Sequence, residues 1–157
     1  MIDQIYTFFN IDMIYIWLNF GILPFWFILL FFPQSRICKI FVTSIFPILL
    51  LGFIDLYLIS QIFKNGFNFF TSFNLYLNLD ELLNLFSDKY YMTIFWVHFL
   101  AINLFCGSWI VRDYIKINMP KFLAFFPILL TYFVGPLGLM IYWFIRIFFS
   151  KKIDLYD

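Results

Sequence analysis

Four apolar stretches of about 20 residues or more dominate this chain, and each is long enough to cross a lipid bilayer as an α-helix. They lie at about 13–32, 40–60, 91–111 and 122–149. Of the 157 residues, 64% are hydrophobic and only 12% are charged, whereas a soluble domain carries about 25% charged residues. A chain this short has too little interior to hide that much apolar surface, so its outer surface must be apolar too, which lipid permits. The sequence therefore predicts an all-α fold, an integral membrane four-helix bundle that forms a single membrane domain over residues 1–157.

Proline and glycine interrupt the predicted spans. The fourth stretch holds Pro127 and the sequence GPLG at 135–138, which predicts either one kinked helix or two half-helices; we expect the kinked helix. Four spans would place both termini on one side of the membrane. Five Lys and Arg residues fall on each predicted side, with Arg146 on the side of the termini and Asp113 on the other, so the basic residues do not set the orientation. The first residues are acidic rather than basic and are not typical of a cleaved signal, so we expect the first span to be retained. We expect both termini to lie outside the cytoplasm.

Residues 61–90 are more polar than the spans on either side of them. Asn78 and Glu81 have the spacing of a helix-capping box, which predicts a helix over about 79–87. That helix is too short to span a bilayer, and its leucines and phenylalanine would form one apolar side. The pattern favours a short interfacial helix between the second and third spans, with a plain loop as the alternative.

The composition excludes several classes of function. The net charge is +1, which gives no basic surface for nucleic acid. Cys38 and Cys106 lie 68 residues apart, without metal-binding or redox spacing. With His98 as the single histidine, one chain cannot form a histidine-rich metal site. We therefore expect no metal.

Three polar residues fall at a similar depth when the spans are counted at about 1.5 Å per residue. Asn19, Asp55 and His98 would lie roughly 7–10 Å below the side that carries the termini. Polar groups inside a bilayer are costly and therefore need a partner or a function. A neutral imidazole beside a carboxylate can act as a general acid or base. The alternative is that these residues only hold the helices together by hydrogen bonds.

Other polar residues would lie deeper in the membrane. Asn103 and Thr131 both fall roughly 17 Å down by the same count. Arg112 follows His98 by 14 residues, about 21 Å along the helix and on nearly the same face. These two side chains could meet the two ends of a long ligand. The alternative for Arg112 and Asp113 is an anchor at the end of a helix.

Several blocks of residues occur in a characteristic order along the chain. In the first span the pattern N-x3-L-P-x-W is formed by Asn19, Leu23, Pro24 and Trp26. The third span contains Trp96-Val97-His98, Leu100-Ala101, Leu104-Phe105, Gly107, Trp109 and Arg112-Asp113. The fourth contains Pro127, Leu130-Thr131 and Gly135-Pro136-Leu137-Gly138. Over nearly the whole chain these blocks resemble the abscisic-acid-deficient-4-like membrane proteins, whose plant members are neoxanthin synthases.

The resemblance implies an isomerisation of an epoxy-carotenoid in the membrane, from violaxanthin to neoxanthin. Opening an epoxide to an allene requires one proton on oxygen and the loss of one from carbon, and it needs no redox cofactor. The family pattern usually has Asp where this chain has Asn103, and an amide cannot serve as a carboxylate base. The candidate catalytic residues are His98, Asp55 and Asp113. The candidate substrate-binding residues are Asn19, Trp96, Asn103, Trp109, Arg112 and Thr131.

Three hypotheses for function stay open at this point. The first is an enzyme or binding protein for a carotenoid, retinoid or similar isoprenoid; the enzyme would be a cofactor-independent carotenoid epoxide isomerase. The second is a non-catalytic membrane factor that organises a partner. The third is a small transporter. The short chain favours a multi-pass protein of a bacterial inner (cytoplasmic) membrane, with the lipid bilayer and a second copy of the chain as its expected partners.

Overall fold

The computed structural model describes residues 10–64 and 78–150, and all regular structure in this part of the chain is helical. This confirms the predicted all-α class. The helices are α1 (Ile11–Phe31), α2 (Phe46–Lys64), α3 (Leu79–Phe86), α4 (Lys89–Lys116), α5 (Lys121–Phe133) and α6 (Gly135–Ser150), with a π-helical turn at Cys38–Val42 before α2.

Three helical segments among the described residues are long and apolar enough to cross a membrane. They are Ile11–Phe31, Cys38–Lys64 and Lys89–Lys116, and they correspond to the first three predicted spans. Many of their large apolar side chains are exposed, among them Phe20 and Phe53. Such a surface suits lipid rather than water.

Helix α3 forms where the capping pattern predicts it. The Asn78 side chain accepts a hydrogen bond from the backbone N–H of Asp80, at 3.0 Å. Asp80 and Glu81 in the first turn complement the positive end of the helix dipole. The helix ends at Phe86, one residue before the predicted end, and its location at a membrane surface stays a prediction. The predicted segment 61–90 also includes residues 65–77, which lie outside the described residues.

The described residues divide into two compact units. The first unit contains the residues up to Gly21 and those from Leu49 to Phe99. The second contains Ile22–Ile48 and the residues from Leu100 onward. Three helices, α1, α2 and α4, contribute one part to each unit.

In the first unit, the start of α1 packs against the start of α4. Lys89 forms an exposed ion pair with Asp12, N···O 2.7 Å, and the rings of Tyr15 and Trp96 lie 5.9 Å apart. Residue numbers rise together along both helices, so the two helices run in the same direction here. Phe86 of α3 contacts Phe95 of α4, with ring centroids 5.0 Å apart.

In the second unit, α5 packs along the end of α1 in the opposite direction. Lys121 donates to the carbonyl of Phe31 at 2.9 Å, while Tyr132, near the other end of α5, meets Trp26 edge to face at 5.4 Å. Trp26 also packs closely against α4 at Gly107, where an added Cβ would lie only 2.9 Å from the indole ring. Small residues at such positions let membrane helices approach closely.

The predicted fourth span is not one helix. Val134 is extended (φ −144°, ψ 92°) and ends α5, and α6 begins at once at Gly135 with a proline in its first turn, a position that helices tolerate. Gly135 lies beside Asn103, and Arg146 lies beside Asp113. Helix α6 therefore runs parallel to α4, whereas α5 runs antiparallel to α4.

Helices α5 and α6 thus form a hairpin whose tip meets α4 at Asn103, the 15th of its 28 residues. The expected kinked span across 122–149 is wrong, because the chain reverses at the break. Gly138 allows this reversal, since a Cβ there would lie 2.6 Å from the carbonyl oxygen of Pro127 and from the backbone nitrogen of Thr131. The end of α6 lies at the same end of α4 as the start of α5, so the argument that placed both termini on one side does not hold.

Candidate functional site

His98 and Asp55 form a side-chain pair in the first unit. The Nδ1 atom of His98 lies 3.2 Å from Oδ2 of Asp55 and 3.0 Å from the carbonyl oxygen of Ile94, one turn earlier in α4. A backbone carbonyl can only accept, so Nδ1 must carry the proton. In the neutral ring, Nε2 then holds the lone pair and can accept a proton.

The two partners differ in exposure. The side chain of His98 is 59% exposed, whereas that of Asp55 is 15% exposed. The second oxygen of Asp55, Oδ1, is buried and accepts no hydrogen bond from the described part of the chain. The hydrogen bond to Ile94 orients the imidazole, and the nearby carboxylate would stabilise its protonated form. Because the His98 side chain is more than half exposed, this arrangement can transfer a proton to or from a molecule that reaches the ring.

Asn19, expected in the same polar layer, takes part in a different contact. Its Oδ1 accepts from the indole N–H of Trp96 at 3.2 Å, and its amide group donates to the carbonyl of Tyr15 at 2.7 Å. Trp96 also stacks on Phe99, with centroids 5.1 Å apart. The three residues of the predicted layer therefore make two separate contacts, Asp55 with His98 and Asn19 with Trp96.

Asp113 forms a buried cluster in the second unit. Its Oδ2 accepts from Nε of Arg146 at 2.7 Å and from the hydroxyl of Tyr142 at 2.6 Å, and its Oδ1 accepts from Nη2 of Arg146 at 3.2 Å. Arg146 also lies over the ring of Trp143, 4.8 Å from its centroid, and Trp143 stacks on Trp109. The carboxylate is saturated with donors, so it anchors α6 to α4 and is a weaker candidate for a proton acceptor than His98.

The role of Arg146 does not follow from the four predicted spans. Those spans place it on the side opposite Asp113, whereas the structure buries its side chain to 1% exposure against that residue. One signal in the sequence could have shown this. Arg146 is a cation within an apolar helix and follows Tyr142 by four residues, which places both on one face.

The side chains of Asn103 and Thr131 form hydrogen bonds with backbone groups of the hairpin. Asn103 donates to the carbonyl of Tyr132 at 3.2 Å and accepts from the N–H of Gly135 at 2.9 Å. These are backbone groups on either side of the break at Val134. The Thr131 hydroxyl donates to the carbonyl of Ile128 in its own helix at 2.6 Å. Both side chains are buried, so neither is available to a ligand in this arrangement.

The remaining candidates, Trp109 and Arg112, line a cavity of about 280 Å³ in the second unit. Within the described residues, no three side chains of His, Cys, Asp or Glu come together as a metal site.

Comparison with known proteins places these features in a family. The model of the family described as ABA DEFICIENT 4-like matches residues 13–142, which confirms the resemblance carried by the sequence blocks. No curated protein and no solved structure matches the chain.

Proposed function

Because the chain belongs to the ABA DEFICIENT 4-like family, we propose that it is a multi-pass membrane enzyme that isomerises an oxygenated isoprenoid by proton transfer. Its substrate class is a carotenoid or a similar apolar chain that carries an epoxide. The observation that carries the proposal is the Asp55–His98 pair, in which the carbonyl of Ile94 fixes the protonated nitrogen and the imidazole is more than half exposed.

The proposed reaction begins with His98 as a general base. Its Nε2 takes a proton from a carbon next to the epoxide. The electron pair of that C–H bond forms the new double bond, and the neighbouring C–O bond breaks. The oxygen keeps the electrons of the C–O bond and takes the proton back from the imidazolium. The product is an isomer with a hydroxyl, so no oxidant or reductant is consumed.

Asp55 has one part in this proposal. Its Oδ2 lies 3.2 Å from Nδ1 and stabilises the imidazolium while the proton is on the ring. Its Oδ1 is buried and has no donor among the described residues, so no donor of this part of the chain competes with the imidazole for that oxygen. A substrate dissolved in the bilayer would reach this pair sideways, because the imidazole is exposed on a membrane-length helix.

The test is a turnover assay in liposomes that contain epoxy-carotenoids of several classes, with products separated by chromatography. We expect His98→Gln to lower turnover by roughly 10²–10⁴-fold, the usual contribution of a general base. Asp55→Asn should lower it by a smaller factor. Ser60→Ala is the matched control, because this hydroxyl of the same helix donates only within α2, to the carbonyl of Tyr57, and it should leave turnover unchanged.

Two results would contradict the proposal in different ways. Conversion by a folded His98→Gln variant at the wild-type rate would mean that another group moves the proton. A protein that retains pigment through purification but converts none would instead be a binding protein. The hypothesis of a partner-organising factor predicts that His98→Gln leaves the cellular function intact while pigment binding is absent from the wild type.

A further inference from the structure

A second site lies in the second unit, at the cavity of about 280 Å³. The turn between the π-helix and α2 forms one wall and the last half of α4 forms the other. The walls are mostly apolar and include Val42, Pro47, Ile48, Leu104 and Trp109, with Arg112 at the cavity. Pockets that enclose a whole small molecule measure about 300–1,000 Å³. This cavity therefore suits one segment of a larger apolar ligand.

Arg112 supplies a cation to this cavity. Its side chain is exposed and makes no hydrogen bond or ion pair with the described part of the chain. The adjacent carboxylate, Asp113, is occupied by Arg146 and Tyr142. The hydroxyl of Thr43, also in the cavity wall, likewise makes no hydrogen bond within the described residues. An anion at the cavity would thus meet a guanidinium and a hydroxyl that are not engaged elsewhere.

The surroundings favour an anion as well. Asp113 is the one acidic side chain among the described residues of the second unit, and it is buried and paired. The exposed basic side chains of this unit are Arg36, Lys39, Arg112, Lys116 and Lys121. Basic residues near a bilayer surface attract anionic lipid headgroups.

The position of Arg112 fits a headgroup. It precedes the end of α4 at Lys116 by four residues, about 6 Å along the axis. An apolar cavity at that level lies beside the acyl chains, while the guanidinium is within reach of the phosphates. We infer that Arg112 and this cavity bind one anionic phospholipid, with the phosphate at Arg112 and the first part of an acyl chain between the start of α2 and α4. The inference uses residues of the second unit alone and does not depend on the proposed reaction at His98.

The test measures whether the protein binds phosphatidylglycerol in preference to phosphatidylcholine. The protein is placed in phosphatidylcholine vesicles that contain a small fraction of phosphatidylglycerol brominated near the headgroup. Bromine quenches tryptophan fluorescence on contact, and Trp109 lines the cavity. We expect the brominated anionic lipid to quench more than brominated phosphatidylcholine at the same fraction. The excess should disappear in Trp109→Phe, which identifies the reporter. Inorganic phosphate alone, which has no acyl chain, should not remove the excess.

Charge variants distinguish a specific lipid-binding site from non-specific electrostatic attraction to anionic lipid. Arg112→Gln should weaken the preference about five-fold, as expected for the loss of one cation at a membrane surface, and Arg112→Lys should retain most of it. Lys39→Gln removes one charge from the same unit outside the cavity and should have little effect. Equal quenching by the two lipids would overturn the inference. So would equal losses in Arg112→Gln and Lys39→Gln, or displacement of the lipid by single-chain oleate or inorganic phosphate.

Discussion

Replacement of Asn103 tests whether this amide holds the break between α5 and α6. Its Nδ2 donates to the carbonyl of Tyr132 and its Oδ1 accepts from the N–H of Gly135. A helix break inside a membrane leaves such backbone groups without partners, and there is no water in the hydrocarbon to satisfy them. One side chain with a donor and an acceptor satisfies both groups. Asn103→Leu keeps the branched shape of the side chain and removes both hydrogen bonds.

The expected cost follows from these two contacts. Side-chain hydrogen bonds between membrane helices contribute about 0.6 kcal/mol on average and up to about 1.7 kcal/mol. Loss of both bonds should therefore lower the free energy of unfolding by about 1–3 kcal/mol. Two buried backbone groups would then lack partners, which favours the upper part of that range.

Asn103→Asp is the more informative variant, because the family usually has an acid at this position. An ionised carboxylate still accepts from Gly135 N–H, but it cannot donate to the Tyr132 carbonyl and it repels that oxygen. Burial of the charge adds a desolvation cost, so we expect a loss at least as large as that of Asn103→Leu at neutral pH. Protonation of the introduced acid restores a donor in the folded protein. The deficit relative to wild type should therefore shrink as the pH falls.

The assay is reversible unfolding in mixed micelles, followed by tryptophan fluorescence at several pH values. Thr131→Val is the control, because it removes a buried hydroxyl near the hairpin but neither bond at the break. A fully stable Asn103→Leu variant would refute the capping role. An Asn103→Asp variant that is as stable as wild type at neutral pH and turns over more substrate would show that the acid acts in the reaction.

Two further predictions concern the hairpin itself. Gly138→Ala should lower the free energy of unfolding by about 1–3 kcal/mol, since its Cβ would press on backbone atoms. Gly52→Ala is the control and should be tolerated, because a Cβ there meets nothing within 4 Å. Equal stabilities of the two variants in the same unfolding assay would contradict the close packing at Gly138. Cysteines introduced by Asn118→Cys and Ser150→Cys should react with an impermeant maleimide from the same face of the membrane, and Ser87→Cys from the opposite face. Labelling of the Ser150→Cys and Ser87→Cys variants from the same face would contradict the hairpin and support one membrane-spanning helix over 122–149.

The sequence predicted well those features that depend on local composition. The length of the apolar stretches predicted the positions of α1, α2 and α4, and the capping pattern at Asn78 predicted the start of α3. The reversal at Val134 is different, because a glycine–proline break ends a helix without specifying where the next one goes. That direction depends on contacts distant in sequence, namely the capping of the break by Asn103 and the close approach at Gly138. The pairing of Asp55 with His98 followed from helix depth, whereas the protonation pattern of the imidazole depended on the carbonyl of Ile94.

The hairpin also changes how the basic residues bear on orientation. Four spans place Arg146 on the side of the termini, where it makes the number of basic residues equal on the two sides. The structure joins it to Asp113, near the end of α4 that also carries Lys116. Among the described residues, the exposed bases of the second unit follow the end of α1 or lie around the turn between α4 and α5; they are Arg36, Lys39, Arg112, Lys116 and Lys121. The positive-inside rule consequently predicts that this turn faces the cytoplasm.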